Sequence, residues 1–153
     1  MQIGDLAPEI SLPSSSGKDV SLSDFKGKYV VLYFYPKDDT PGCTKEACEF
    51  RDLQSDFSDL NAVIVGVSKD PIKKHDKFIE KYELPFELLS DEEFELLKAF
   101  DVWKEKSMYG RTYLGIERST FLIDPEGKII KEWRKVKVTN HVKEVLESLR
   151  ELL

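Results

Sequence analysis

The chain has 153 residues, 41% apolar and 11% aromatic, with 23 Lys and Arg against 29 Asp and Glu for a net charge of -6. That length fits one domain, residues 1–153, with enough apolar mass to close a core without metals or staples. The acidic balance excludes a counterion-releasing nucleic-acid binder, two cysteines exclude a disulfide scaffold, and no run of 18 apolar residues offers a membrane span. Met1 to Asp5 has neither the basic start nor the apolar middle of a secretory signal, so a cytoplasmic location is expected.

In chain order, a Ser/Gly-rich loop over Pro13–Gly17 precedes the first strong element, Tyr29–Tyr35. Its unbroken β-branched and aromatic run predicts a strand buried on both faces. Cys43–Leu60 follows, with Ala47, Phe50, Phe57 and Leu60 on one helical face. Ala62–Val67 predicts a second buried strand, Pro71–Tyr82 a helix with Pro71 suited to its first turn, Phe86–Leu89 a short strand and Asp91–Phe100 another helix. Trp103, Met108 and Tyr109 fall in a segment without a clear period and are expected in the core or a pocket wall. Ser119–Ile123 and Ile129–Trp133 flank Asp124-Pro125-Glu126-Gly127, which is turn chemistry and predicts a hairpin. Asn140 is expected to cap a last helix carrying Val142, Val145, Leu146, Leu149 and Leu152. The alternation predicts an α/β fold, a central mixed sheet with helices on both faces, whose strand order these patterns do not set.

The chemistry concentrates after the first strand. Thr40 suits a helix N-cap and Pro41 the first helical position, which places Cys43 in the first turn. Free N–H groups and the helix dipole there favour negative charge, and the thiolate is the nucleophilic form of cysteine. Cys48 lies five residues further along the same predicted helix. On an ideal helix that offset separates the Cα atoms by about 8.7 Å, beyond the ~7 Å that a disulfide tolerates. Either the two never pair, or pairing unwinds the start of the helix.

Pro36-x-x-x-Thr40-x-x-Cys43 resembles the active-site motif of the peroxiredoxins, and Cys48 five residues later resembles their bacterioferritin comigratory protein or peroxiredoxin Q branch. Gly4-Asp5-x-Ala7-Pro8 is similar to the family's opening, and Tyr109-Gly110 through Arg118-Ser119-Thr120-Phe121 to its late segment. The resemblance implies a thioredoxin-like fold and a thiol peroxidase acting on hydrogen peroxide and organic hydroperoxides. It casts Cys43 as the peroxidatic and Cys48 as the resolving cysteine. Thr40 matches the hydroxyl that binds thiolate and peroxide, Pro36 the residue that screens the thiolate from water, and Arg118 the distant arginine that completes the pocket. Glu46 matches an acid that orients that arginine. An intrachain disulfide, returned to thiols by a thioredoxin-like protein, implies a monomer, with a weak homodimer allowed. No cofactor and no metal are expected.

The chemistry of O–O cleavage asks for the same groups. Thr40 Oγ, the Cys43 N–H and the Arg118 guanidinium are donors suited to the charge that builds on the departing oxygen. Arg118 stays charged at any working pH and is expected beside the end of the buried Ser119–Ile123 strand.

Other readings fit less well. A thioredoxin-type disulfide oxidoreductase wants Cys-x-x-Cys, and four residues separate Cys43 from Cys48. His75 and His141 lie too far from the cysteines in sequence for zinc-ligand spacing. Asp38 and Asp39 read as solvated acids of a polar loop. A peroxide-sensing or chaperone-like switch would use the same two thiols, but it would not need the peroxide-binding groups around them.

Overall fold

The computed structural model describes all 153 residues. An N-terminal arm carries the two-residue strands β1 (Leu12–Pro13) and β2 (Asp19–Val20) and a 3-10 turn over Leu22–Phe25. The chain then runs through β3 (Tyr29–Phe34), α1 (Pro41–Asp52), α2 (Gln54–Asp59), β4 (Ala62–Ser68), α3 (Ile72–Tyr82), β5 (Glu87–Ser90) and α4 (Glu95–Ala99). It continues with β6 (Trp103–Met108), β7 (Arg111–Ile116), β8 (Ser119–Ile123), β9 (Ile129–Trp133) and α5 (His141–Leu152).

The main sheet has the order β5-β4-β3-β8-β9, with β3, β4 and β5 parallel and β8 and β9 antiparallel to their neighbours. Both parallel crossovers step the same way along the sheet. Right-handed connections therefore put α1, α2 and α3 on one face. There Val31, Tyr33, Tyr35 and Leu122 pack with Ala47, Phe50, Phe57 and Phe78, joined by Val142, Val145 and Leu149 of α5. On the other face Val30, Leu32, Phe34, Val65 and Phe121 meet Leu96, Leu97 and Phe100, with Leu12 and Leu22 from the arm. Helices cover both faces as expected, unequally. Alternate residues of β3 enter different cores, so every position is apolar and no period of two shows in the sequence.

The arm also partners both sheet edges. Gly4 N–H donates to Ile129 O at 2.7 Å and Ile129 N–H to Asp5 O at 2.9 Å along β9, while Ser15 N–H donates to Leu88 O at 3.0 Å along β5. Exposed strand edges, which invite pairing between chains, are thereby blunted.

Four expectations need correction. The helix over Cys43–Leu60 breaks at Leu53 (φ -104°, ψ 8°), within a stretch of Asp and Ser that favour helices weakly. The helix expected from Asp91 starts at Glu95, because the Asp91 carboxylate accepts the N–H groups of Glu95 at 2.9 Å and Leu97 at 2.8 Å. Residues 103–116 form a hairpin, β6–β7, turning at Tyr109 and Gly110, both at positive φ. Trp103 stacks on Phe94 at 4.5 Å, but Met108 and Tyr109 stand exposed at the tip rather than in a core or wall. Asn140 precedes α5 in the left-handed conformation and makes no side-chain cap bond. The hairpin over β8 and β9 forms as expected, its turn held by Asp124 Oδ1, which accepts Glu126 N–H and Lys128 N–H at 2.9 Å each. No helix is long and apolar enough to cross a membrane.

Gly66, inside β4, has no room for a side chain: a Cβ would lie 2.7 Å from Leu88 Cδ2 and 2.9 Å from Tyr33 Cζ. Gly66→Ala is expected to destabilise the fold by about 1–3 kcal/mol through overpacking, measured by chemical denaturation. A midpoint equal to the parent's would show that Leu88 and Tyr33 yield without loss.

Candidate active site

The register of the sheet assembles the site. Phe34, the last residue of β3, pairs with Ser119, the first of β8. Arg118 therefore sits beside the loop that leaves β3. That loop ends at Thr40, in extended conformation, and Pro41 opens α1. Cys43 follows in the first turn with 2% of its surface exposed, and neither its N–H nor that of Gly42 makes a backbone hydrogen bond. Such free N–H groups make the helix start electropositive.

Arg118 reaches two residues of α1 at once. Its Nη2 donates to Cys43 Sγ at 3.4 Å and its Nη1 to Glu46 Oε1 at 2.7 Å. Cys43 and Glu46 are three residues apart and so share a helix face. Glu46 is fully buried, and its second oxygen, Oε2, has no partner. Burial pushes the Glu46 carboxyl up to about 7, with Arg118 pulling the other way. Burial works against the Arg118 charge too, yet Glu46 and Cys43 raise it above its ordinary value. Arg118 also crowds Gly42: a Cβ there would lie 3.2 Å from Nη2.

An open pocket of about 470 Å³ lies against Arg118, with Pro36, Lys106, Tyr113, Lys135 and Val136 also in its wall. Lys106, from β6, has its ammonium lowered by burial and then by Arg118. Thr40 occupies the cap position, but its side chain does not cap: Oγ1 donates to Lys37 O at 2.8 Å instead. Cys48 is half-buried and free, on the same unbroken helix as Cys43. The structure thus brings Cys43, Glu46 and Arg118 into contact, sets Pro36 at the pocket wall, and keeps Thr40 and Cys48 out of the hydrogen bonds to Cys43 Sγ.

Sequence reasoning missed what anchors the loop. Asp38 is buried, not solvated: Tyr35 Oη donates to its Oδ1, and its Oδ2 lies 2.6 Å from His75 Nδ1. His75 Nε2–H donates to Leu89 O at 2.9 Å. Asp70 Oδ2 accepts both Asp38 N–H and Ser68 Oγ–H, each at 2.8 Å. Asp38, Asp70 and His75 offer atoms within 4.8 Å of one another, the spacing of a metal site. Their short hydrogen bonds within the protein identify instead a structural network. Asp39 alone is exposed, bound by Lys81 Nζ at 2.9 Å and Tyr82 Oη at 2.8 Å. Only Tyr35 is near Asp38 in sequence; Asp70 and His75, which complete its burial, are 32 and 37 residues away, beyond the reach of any local pattern. The pocket-lining hairpin was also missed, and its one cue was Tyr109-Gly110 between two six-residue runs.

Residues 3–132 match the AhpC/TSA family. The chain belongs to that family of peroxiredoxins. It is 60% identical over 152 residues to peroxiredoxin Bcp of Bacillus subtilis, covering 99% of this chain and 97% of that one. It is 45% identical over 151 residues to peroxiredoxin Bcp of Escherichia coli K12, covering 99% and 97%. Among solved structures it is similar to a peroxiredoxin Q of Xanthomonas campestris, at 47% identity with a TM-score of 0.91 over 96% of this chain and 95% of that one. This peroxiredoxin accordingly has a thioredoxin-like fold, is of the Bcp and peroxiredoxin Q type, and is a thiol peroxidase.

Gly42 separates geometry from stability in this peroxiredoxin. Gly42→Ala places a methyl group against Arg118 Nη2, the atom that donates to Cys43 Sγ. The expected outcome is peroxide reduction slowed by about tenfold or more with the denaturation midpoint little changed. An unaltered rate would show that the guanidinium can shift without loss.

Proposed function

We propose that Cys43 is the nucleophile that reduces hydrogen peroxide and organic hydroperoxides, and that Cys48 resolves it. One observation carries the reading: a half-buried guanidinium donates to Cys43 Sγ at the electropositive start of a helix. That arrangement favours a thiolate and places a donor where charge builds as the O–O bond breaks. The thiolate attacks one peroxide oxygen, both electrons of the O–O bond go to the other, and the products are a Cys43 sulfenic acid and water or an alcohol. Thr40 is not the donor expected from the sequence: Oγ1 gives its one proton to Lys37 O and so offers a lone pair, suited to accept from the peroxide O–H. Pro36, in the pocket wall beside Arg118, is assigned the screening of the sulfur from water. Glu46 holds Arg118 in place through its 2.7 Å bond.

Cys48 then attacks the sulfenic sulfur and displaces hydroxide, leaving an intrachain disulfide. The ~8.7 Å separation on an intact helix requires the first turns of α1 to open. Helix ends open locally at low cost. A dithiol protein of thioredoxin type returns both residues to thiols by exchange. A cycle that begins from two free thiols suits the reducing cytoplasm. Because both cysteines come from one chain, a monomer suffices, and a weak homodimer is compatible.

The test is an intact mass and thiol count after one equivalent of hydrogen peroxide, followed by thioredoxin, its reductase and NADPH. Loss of two thiols without dimerisation, then sustained NADPH consumption, is the expected outcome; two thiols still free would overturn the reading. Cys48→Ser is expected to reduce one equivalent of peroxide and stop at the sulfenic acid, so full turnover with thioredoxin would remove Cys48 from the resolving role. Arg118→Ala should slow peroxide reduction by about 10²–10³-fold, and a parental rate would take Arg118 out of the mechanism.

A further inference from the structure

Arg118 faces two acids with one charge. It donates to Glu46 Oε1 at 2.7 Å and Cys43 Sγ at 3.4 Å, while Glu46 Oε2, fully buried, has no donor at all. A charged carboxylate with an orphaned oxygen is costly in such a place, and a neutral carboxylic acid is much less so. With sulfur and carboxylate both ionised the two buried acids and Arg118 would carry a net charge of -1; with one proton the trio is neutral.

The neighbours supply no second cation to the carboxylate. Tyr33, from β3, is buried and kept in its neutral form by burial, then by Glu46 and Cys43. Glu49, on the same helix, adds negative charge. His141 of α5 is held down to about 4, chiefly by burial, and is neutral at pH 7. Lys106 of β6 lies toward Arg118 and Cys43.

We propose that Glu46 holds a proton for Cys43: protonated while the sulfur is a thiolate, ionised once the sulfur loses its charge, so that Arg118 serves one anion at a time. This rests on the reading of Cys43 as the nucleophile. In the oxidation step the thiolate takes the OH of the hydroperoxide, the O–O bond breaks and an alkoxide leaves. Arg118 then has one anion fewer, Glu46 ionises to replace it, and the released proton converts the alkoxide to the alcohol. The sum is thiolate, hydroperoxide and carboxylic acid giving sulfenic acid, alcohol and carboxylate. Glu46 is thus a positioning residue that acts through Arg118. Loss of its proton before peroxide arrives draws the guanidinium toward the carboxylate, and attack slows.

Two readouts separate this role from a merely structural one. The first is an infrared difference spectrum of Cys48→Ser, sulfenic acid minus reduced so that α1 stays closed, at about pH 6, with glutamate labelled by ¹³C at the side-chain carboxyl. One labelled protonated-carboxyl band should disappear on oxidation as a carboxylate band grows. The second is the pH profile of the first peroxide turnover by stopped flow. The wild-type rate should fall about threefold or more above neutral pH, and Glu46→Gln, neutral at every pH, should lack that falling limb. No thiol loss in the wild type would strike the peroxidase reading itself. Thiol loss with an unchanged carboxyl region, or the same falling limb in Glu46→Gln, overturns the proton-holding role alone. Should Glu46→Gln fail to fold, the Cys48→Ser spectrum decides.

Discussion

The Arg118 guanidinium ties the sheet to the first turns of α1, and the geometry around Cys43 follows from that tie. Its position is a matter of register: β8 runs antiparallel to β3, so the residue before β8 lies where β3 hands the chain to the reactive loop. The Nη2 donor is therefore fixed beside Cys43 Sγ, held by two elements whose side chains fill the core. Burial makes each of its contacts stronger than in water and each unpaired group around it more costly. Gly42 belongs to the same constraint, since its missing side chain is the space that Nη2 occupies.

The tie also bears on how α1 opens. In the reduced protein the first turns of the helix are held by burial of Cys43, Glu46 and Ala47 and by the charge that Arg118 shares with them. Once the sulfur is oxidised it is neutral, and its attraction to the guanidinium falls. In the proposed cycle the reaction thus weakens one of the contacts that keep Cys43 away from Cys48. The deeper part of α1, anchored by Phe50 on Tyr33 at 4.6 Å and on Phe57 at 5.9 Å, loses nothing in that step.

What was legible in the sequence was what depends on neighbours along the chain. Tyr29–Tyr35 declared itself because both faces of β3 are covered, and the β8–β9 hairpin because Asp124 organises its own turn. The β6–β7 hairpin did not, since Met108, Tyr109 and Leu114 are exposed and its apolar residues trace no buried face. Family resemblance singled out Cys43, Arg118 and Glu46, but their contact depends on the pairing of β3 with β8, which no local pattern encodes. Thr40 shows the converse limit. Residue type selected the cap position correctly, while the hydroxyl found its acceptor in Lys37 O instead of the helix.

The two sides of the reactive loop are anchored differently, and this sets where the chain can bend. On one side, His75 has its Nε2–H committed to Leu89 O, so its 2.6 Å contact with Asp38 needs a proton between Nδ1 and Oδ2. Asp70 adds bonds to Asp38 N–H and Ser68, and Ser90 Oγ–H donates to Asp70 O at 2.6 Å. Asp38 is thus fixed to β4, α3 and β5 by hydrogen bonds in which Cys43 has no part. On the other side, the start of α1 meets β8 through Arg118, whose partners change charge in the proposed cycle. The stationary anchor lies before Thr40 and the labile one after it. Opening can therefore be confined to the turns that carry Cys43, while the loop and sheet that define the pocket stay in place.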